Sequence, residues 1–597
     1  MHRLSLIALT LTFATPLLAQ QAADAIAPET AGAGDSFAGL SDAARAALDT
    51  KAAGKPVTAQ DWMVAAANPL AVQAGADVLA AGGSAADAMI ATQAVLGLVE
   101  PQSSGLGGGA FLVWYDAATG KVTTLDARET APLAVTPKAF LNDDGTPMGF
   151  FDAVVGGLSV GTPGTPKLME AAHRRWGRTN WAGLFDDAIE LGTKGFVVSD
   201  RMAGAIADDA ERLARFPTTA AYFLPDGKPL TAGVTLTNPA YADTLTQIAQ
   251  HGTAAYYTGP IAQDIVATVR NADGNPGYLA MDDLALYQVK ERDPVCVMYR
   301  AAEVCGMGPP SSGALTVGQI LGMLNTYDLA ALGPDSPESW RLIGDASRLA
   351  FADRGRYMAD SDFVPMPTAG LTAAPYLAER AALLSGDDAL PEVAPGMPEW
   401  DHAMLLGDDI ALEFPSTSHI SIVDSYGNAL SMTTTIENGF GSRLFVRGFL
   451  LNNELTDFSF ATHDDAGYPI ANRIEPGKRP RSSMSPTIVM QDGKPIMVVG
   501  SPGGSQIIGY VAQTIIAHLD WGMDAQQAVA LGHGLNRFGT MDLEAGTPLA
   551  DLEQPLADLG FEVKVGDLNS GLHAIIIDGE TLTGGADPRR EGIALGE

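Results

Sequence analysis

The sequence predicts an α/β chain of the α+β kind, with layered sheets covered by helices. Strand-like segments stand at both ends of the 597 residues, whereas residues 160–390 read as mostly helical, broken by Gly/Pro loops. Segregated strand-rich and helix-rich stretches bury their apolar faces by stacking in layers. Composition is globular, with 46% hydrophobic and 18% charged residues, and the length suffices for one large core or several ordinary ones.

The first three residues, Met1-His2-Arg3, precede an apolar run over 4–19. That run is short for a membrane span and typical of a secretory signal, with cleavage expected before Gln20. Residues 1–19 are therefore expected to be a signal peptide, and the Ala/Gly/Asp-rich residues 20–60 a loosely ordered leader. The mature protein is expected to be exported, periplasmic or secreted, with no membrane segment.

Asn68-Pro69 caps a first helix that Gly82-Gly83 ends. Ser84 and Asp87 form the pattern of a capping box for a second helix through Val99. This helix is apolar all round and is therefore expected to be buried. A glycine loop, Gly105-Leu106-Gly107-Gly108-Gly109-Ala110, leads into strands over 111–115 and 122–127. Further helices are expected over 238–251, 316–327 and 337–358. Residues 387–416 are acidic and proline-containing with little periodicity, the pattern of an exposed linker. From Thr417 the texture turns to β. Ser418, Ile420 and Ile422 alternate with His419 and Ser421 as in a half-buried strand. A turn at 424–428 returns the chain over 429–436. Strands at 488–491 and 495–500, helices at 506–519 and 524–530, and a closing hairpin at 573–578 and 581–585 follow.

The formal charge of −34 excludes a nucleic-acid partner, whose phosphates need a basic surface, and opposes an anionic membrane. The two cysteines, Cys296 and Cys305, flank a hairpin turn at 299–302. They form either a local disulfide in an oxidising compartment or two reduced, buried thiols. The nine histidines are scattered, so no metal site is expected.

The glycine loop nearly fits a dinucleotide fingerprint. It follows a helix and opens a strand, the reverse of what that fingerprint requires, so it reads as a place where backbones approach closely. Thr417 alone reads as a structural threonine. Its hydroxyl needs a base, and nothing in the sequence places His419 in that role. Cleavage before Thr417 would supply one, because the freed α-amine has a pKa of about 7.7–8 and is tethered to the hydroxyl.

Four segments surround that idea: Glu413-Phe-Pro-Ser-Thr417, Leu451-Asn-Asn-Glu-Leu-Thr-Asp457, Arg481-Ser-Ser-Met-Ser-Pro-Thr487 and Gly500-Ser-Pro-Gly-Gly504. Upstream stand Gly82-Gly-Ser-Ala-Ala-Asp87, Glu100-Pro-Gln-Ser-Ser-Gly105, Asp126-Ala-Arg-Glu129 and Pro309-Pro-Ser-Ser-Gly313. Lys478-Arg-Pro480 and Asp587-Pro-Arg589 complete the series. In this order the chain resembles the γ-glutamyltransferases of the N-terminal-nucleophile hydrolase superfamily, from about Trp62 to Arg589. The resemblance implies a four-layer αββα sandwich. It implies self-cleavage between Ser416 and Thr417 into a large subunit, 61–416, and a small one, 417–597, which build the fold jointly. It implies transfer of the γ-glutamyl group of glutathione or a related compound to Thr417, then to water or an amino acid, with no cofactor. Thr417 would be the nucleophile, Thr435 its supporting threonine, and Gly503 and Gly504 the oxyanion hole. Arg128, Ser482 and Ser483 would hold the α-carboxylate. Glu454 and Asp457 would hold the α-ammonium.

Two features depart from the family pattern. Glu437 stands where asparagine often contacts the ammonium, with Asn438 adjacent and, on a strand, facing the opposite way. The loop 459–470 is shorter than some lids. Two alternatives remain: an acylase of the same fold acting on a glutaryl-type or other acyl donor, and an uncut binding protein without activity.

Overall fold

The computed structural model describes residues 37, 39–402, 404–409, 411, 413 and 416–597. The expected signal peptide and the leader up to residue 36 lie outside the described residues. The rest of the leader corrects the expectation of loose order. Asp42–Ala52 is a helix capped by Ser41, with Ala44 and Ala47 buried. Lys51 at its C-terminal end donates to the carbonyl of Gly592 at 2.7 Å.

Two seven-stranded sheets form the centre. The first runs Val57–Ala59, Thr581–Ala586, His573–Asp578, Lys494–Gly500, Thr487–Gln491, Ala302–Gly306, Val295–Tyr299, antiparallel throughout. The second runs Ile593–Gly596, Met63–Ala66, Ser418–Val423, Ala429–Thr435, Gly109–Asp116, Lys121–Ala127, Lys290–Arg292, also antiparallel. Both sheets contain strands from before and from after Thr417. The hairpin at 573–586 is not the closing element, because Ile593–Gly596 crosses to the edge of the second sheet.

Strand alternation sorts side chains into three cores. Met63, Ala65, Val113, Val423, Ile488, Val498 and Ile575 fill the space between the sheets. Val64, Leu112, Trp114, Ile420 and Ile422 face the helices Pro69–Ala80 and Ala85–Val99. Met497 and Val499 face Gly313–Leu324, Pro337–Tyr357 and Ile507–Leu519. The layers are therefore α, β, β, α, as the resemblance implied. Every residue of Ala85–Val99 is buried, and the Ser84–Asp87 capping box is formed. Truncating Ile90 or Ile420 to alanine is expected to cost roughly 2–5 kcal/mol.

The strand Ser418–Val423 is buried on both faces rather than one. Its polar face lies against the other sheet instead of solvent. His419 shares hydrogen bonds with Thr433 (2.9 Å) and Ser421 (3.0 Å). Ser421 donates to the carbonyl of His573 at 3.1 Å. The Gly107–Gly109 stretch is the close-approach loop expected. A Cβ on Gly108 would lie 1.9 Å from the carbonyl oxygen of Thr435, and one on Gly107 2.0 Å from that of Leu450. Cys296 and Cys305 face each other across the hairpin and form a disulfide. The described residues of 387–416 form no helix or strand beyond the bridge of Gly407 with Ile470, but the end is not an exposed linker. Asp409, Glu413 and Ser416 are all buried.

Candidate active site

Thr417 immediately precedes the strand Ser418–Val423 at the edge of a pocket, itself only 3% exposed. Its hydroxyl donates to the carbonyl oxygen of Ser416, the residue before it. The Thr435 hydroxyl, at the end of the neighbouring strand, donates to the same oxygen at 2.8 Å. Thr435 also lies 3.4 Å from the Thr417 hydroxyl and accepts the backbone N–H of Glu437 at 2.9 Å. Ser416 is held on the other side, its hydroxyl donating to the carbonyl of Gln102 at 2.8 Å. Arg590 reaches the carbonyl oxygen of Thr417 at 3.3 Å. His419 is no base for Thr417: it points to the inter-sheet side, and burial and the nearby His573 hold it well below its usual pKa.

The pocket is lined by Arg128, Ser416, Thr417, Thr435, Glu437, Glu454, Asp457, Ser482, Ser483 and Gly504. The sequence singled out every one of these. Gly503, adjacent, precedes the short turn that starts the helix Ile507–Leu519. Both glycines have positive φ, 136° and 56°, a backbone that residues with a Cβ adopt only under strain. Three further residues complete the lining: Glu413, Met484 and Ile507. Nothing local marks Glu413 beyond its position four residues before Thr417.

Arg128 does not stand open toward the pocket. It donates to Glu454 and to Asp457, and to the carbonyls of Arg481 (2.8 Å) and Pro480 (3.2 Å). Burial disfavours its charge, but Glu454, Asp457 and Glu129 more than offset this and raise its pKa. Asp457 Oδ1 nevertheless has no hydrogen-bond partner, whereas Glu454 also has the carboxyl of Glu129 against it. Burial, only partly opposed by Arg128, raises the carboxyl of Glu454 and raises that of Asp457 well above its usual value. Negative charge from Glu413 adds to both effects.

Glu437 is not on a strand. Its φ of 76° places it in the left-handed region just past Thr435, with its carboxylate accepting from Asn453. Asn438 is engaged elsewhere. Its N–H donates to Asn453 (3.0 Å), and its side-chain oxygen accepts from Arg443 (2.8 Å). Ser482 and Ser483 also differ from each other. The Ser482 hydroxyl accepts from the Met484 backbone at 3.1 Å, a local turn. The Ser483 hydroxyl donates to Glu413 and accepts from Arg354 at 2.8 Å. The loop 459–470 is tied down by bridges of His463 with Pro469 and of Ile470 with Gly407.

The family model of γ-glutamyltranspeptidases matches residues 71–597. The glutathione hydrolase proenzyme of Bacillus subtilis (strain 168) is 38% identical over 551 residues, covering 90% of this chain and 92% of that protein. The acylase ACY 1 proenzyme of Pseudomonas sp. (strain SE83) is 33% identical over 546 residues, covering 90% and 94%. The crystal structure of a cephalosporin acylase from Bacillus halodurans superposes with a TM-score of 0.80 at 26% identity, covering 91% of this chain and 97% of that one.

Proposed function

Because the chain belongs to the γ-glutamyltranspeptidase family, we propose that it is an autoprocessed γ-glutamyltransferase and glutathione hydrolase. The observation that carries this reading is the Thr417 hydroxyl set against the carbonyl of its own upstream peptide, with Thr435 on the same oxygen. In maturation the Thr417 oxygen attacks the Ser416 carbonyl carbon, and its hydroxyl proton passes to the departing Thr417 nitrogen. Negative charge develops on the Ser416 oxygen, where the Thr435 hydroxyl stabilises it. The C–N bond breaks, and the acyl group sits as an ester on Thr417 with a free α-amine beside it. Water then releases Ser416 as a carboxylate. The products are a large subunit ending at Ser416 and a small subunit, 417–597, which remain one fold because both contribute strands to each sheet.

In turnover the new α-amine, with a pKa of about 7.7–8, takes the hydroxyl proton. The oxygen attacks the γ-carbonyl of the donor, and the departing amine takes the proton. The backbone at Gly503 and Gly504 holds the oxyanion. Water or an amino acid then releases the γ-glutamyl group. Glu437, Glu454 and Asp457 receive the donor's α-ammonium, and the unpartnered Asp457 oxygen supports that assignment. Ser482 and Ser483, together with Arg128 once it is freed from Glu454 and Asp457, receive its α-carboxylate. No cofactor enters these steps. Among the described residues no helix is long and apolar enough to cross a membrane, and export remains part of the proposal.

The similarity to acylases favours a second reading, a glutaryl-type acylase. Such a donor has no ammonium to place beside Glu437, Glu454 and Asp457. Release of p-nitroaniline from a γ-glutamyl anilide by the processed protein, absent in Thr417→Ala, tests the proposal. Cleavage of a glutaryl anilide in preference would support the acylase. A protein that stays uncut and inert would be a binding protein.

A further inference from the structure

Behind the pocket wall stand two buried arginines, Arg354 at the end of the helix Pro337–Tyr357 and Arg481. Arg354 donates to Glu413, to the Ser483 hydroxyl at 2.8 Å and to the Ser312 hydroxyl at 2.9 Å. Arg481 pairs with Asp409 at 3.0 Å and lies 3.5 Å from Glu413. Burial and the neighbouring Arg481 push the Arg354 guanidinium down to about 10, against the pull of Glu413. The second oxygen of Glu413 accepts from Ser483. Glu413 lines the pocket; the two arginines stand behind it.

The acids around the two cationic groups differ in where they sit along the chain. Those around Arg128 are Glu129, Glu454 and Asp457, all away from the scissile peptide. Those paired with Arg354 and Arg481 are Glu413 and Asp409, both in the stretch that becomes a free end when the chain is cut after Ser416. Before cleavage Glu413 is joined to the rest of the chain on both sides. Afterwards it is tethered on one side only, and its effective concentration at Ser483 falls. Buried arginines require an anion.

We propose that Arg354, backed by Arg481, determines specificity for the α-carboxylate of the acyl donor, and that Glu413 occupies that carboxylate's place in the uncut chain. This rests on the γ-glutamyl reading above. An oxygen that takes over the Ser483 hydroxyl bond from Glu413 lies within reach of Arg354, because the two groups are 2.8 Å apart. The pocket then matches a zwitterion: an acidic half at Glu437, Glu454 and Asp457, and a basic half at Ser483, Arg354 and Arg481. Exchange of one carboxylate for another leaves the buried charge balanced.

The test compares γ-glutamyl p-nitroanilide with 4-aminobutyryl p-nitroanilide, which keeps the amine and lacks the α-carboxylate. Arg354→Gln/Glu413→Gln removes both charges together, so no unpaired ion is left in the core; two-fragment maturation and a thermal melt check its fold. Its kcat/KM preference for the γ-glutamyl substrate is expected to fall at least roughly tenfold, carried by KM rather than kcat. Glu413→Gln alone should keep the wild-type preference. Should the double variant fail to fold, Arg354→Lys retains the charge opposite Glu413 and should lose part of the preference. An undiminished preference in either Arg354 variant overturns the proposal. A wild-type protein with no preference between the two anilides would instead refute the γ-glutamyl reading, and the proposal with it.

Discussion

The Thr435 hydroxyl donates to the Ser416 carbonyl oxygen at 2.8 Å, the oxygen on which charge must build if Thr417 attacks that carbonyl. Thr435 is thus placed to act on the uncut peptide and not only on the finished nucleophile. Loss of one such donor typically slows a reaction by about 10²–10³. Thr435→Ala is therefore expected to remain largely as one chain when wild type has matured, while Thr435→Ser matures close to normally. A time course on a denaturing gel measures both. Equal maturation of Thr435→Ala and wild type would remove Thr435 from self-cleavage.

Arg128 spans Glu454 and Asp457 with the two arms of its guanidinium. Lysine at this position keeps the charge but cannot hold both acids in the same geometry. Arg128→Lys should lower kcat/KM on a γ-glutamyl anilide at least roughly tenfold, or about 1.4 kcal/mol. Maturation should survive, because self-cleavage needs no bound donor. Steady-state kinetics on the processed variant provides the check.

Glu437 reaches the pocket from a left-handed turn and is held by Asn453. Glu437→Gln removes its charge and keeps its length. Activity on a γ-glutamyl anilide should fall, while a glutaryl anilide, which lacks the amine, should be cleaved as well or better. The ratio of the two kcat/KM values is the readout. An unchanged ratio would leave the ammonium to Glu454 and Asp457.

The carboxyls of Glu454 and Asp457 are raised, chiefly by burial. A raised carboxyl takes up its proton at a higher pH than an exposed one, so it loses the charge that holds an ammonium as pH falls through the raised value. The kcat/KM for γ-glutamyl anilide should therefore decline at a pH above the ordinary carboxylate range of about 4. The glutaryl analogue should not share that decline. By the same sign, the protonated acids favour the folded state below their raised pKa values and lose that contribution as pH rises through them. A pH series with both anilides separates the binding effect from any change in stability.

What could be read in the sequence was local. The Ser84–Asp87 box, the Asn68 cap and the alternation from Ser418 to Val423 lie within a few residues of what they control. The family motifs then brought together pocket residues as far apart as Arg128 and Gly504. What could not be read was long-range. Ser418–Val423 looked half-buried because its polar face meets another polar face, that of Ser431 and Thr433 on the neighbouring strand and His573 on the opposite sheet. Glu413 looked like one more acid in an exposed linker, because Arg354 and Ser483, which hold it, lie 59 and 70 residues away. The helix Asp42–Ala52 did carry a local signal, a Ser41 cap with Asp42 in the first turn and Lys51 in the last. That signal was hidden by an Ala-rich composition shared with the preceding leader.

The central claim is that Thr417 becomes an N-terminal nucleophile. Intact mass and N-terminal sequencing of the purified protein, alongside anilide release, test it most directly. Two fragments are expected, the smaller beginning Thr417-Ser418-His419-Ile420, with activity only in the cut form and neither cleavage nor activity in Thr417→Ala. A single uncut chain that releases p-nitroaniline would contradict the account.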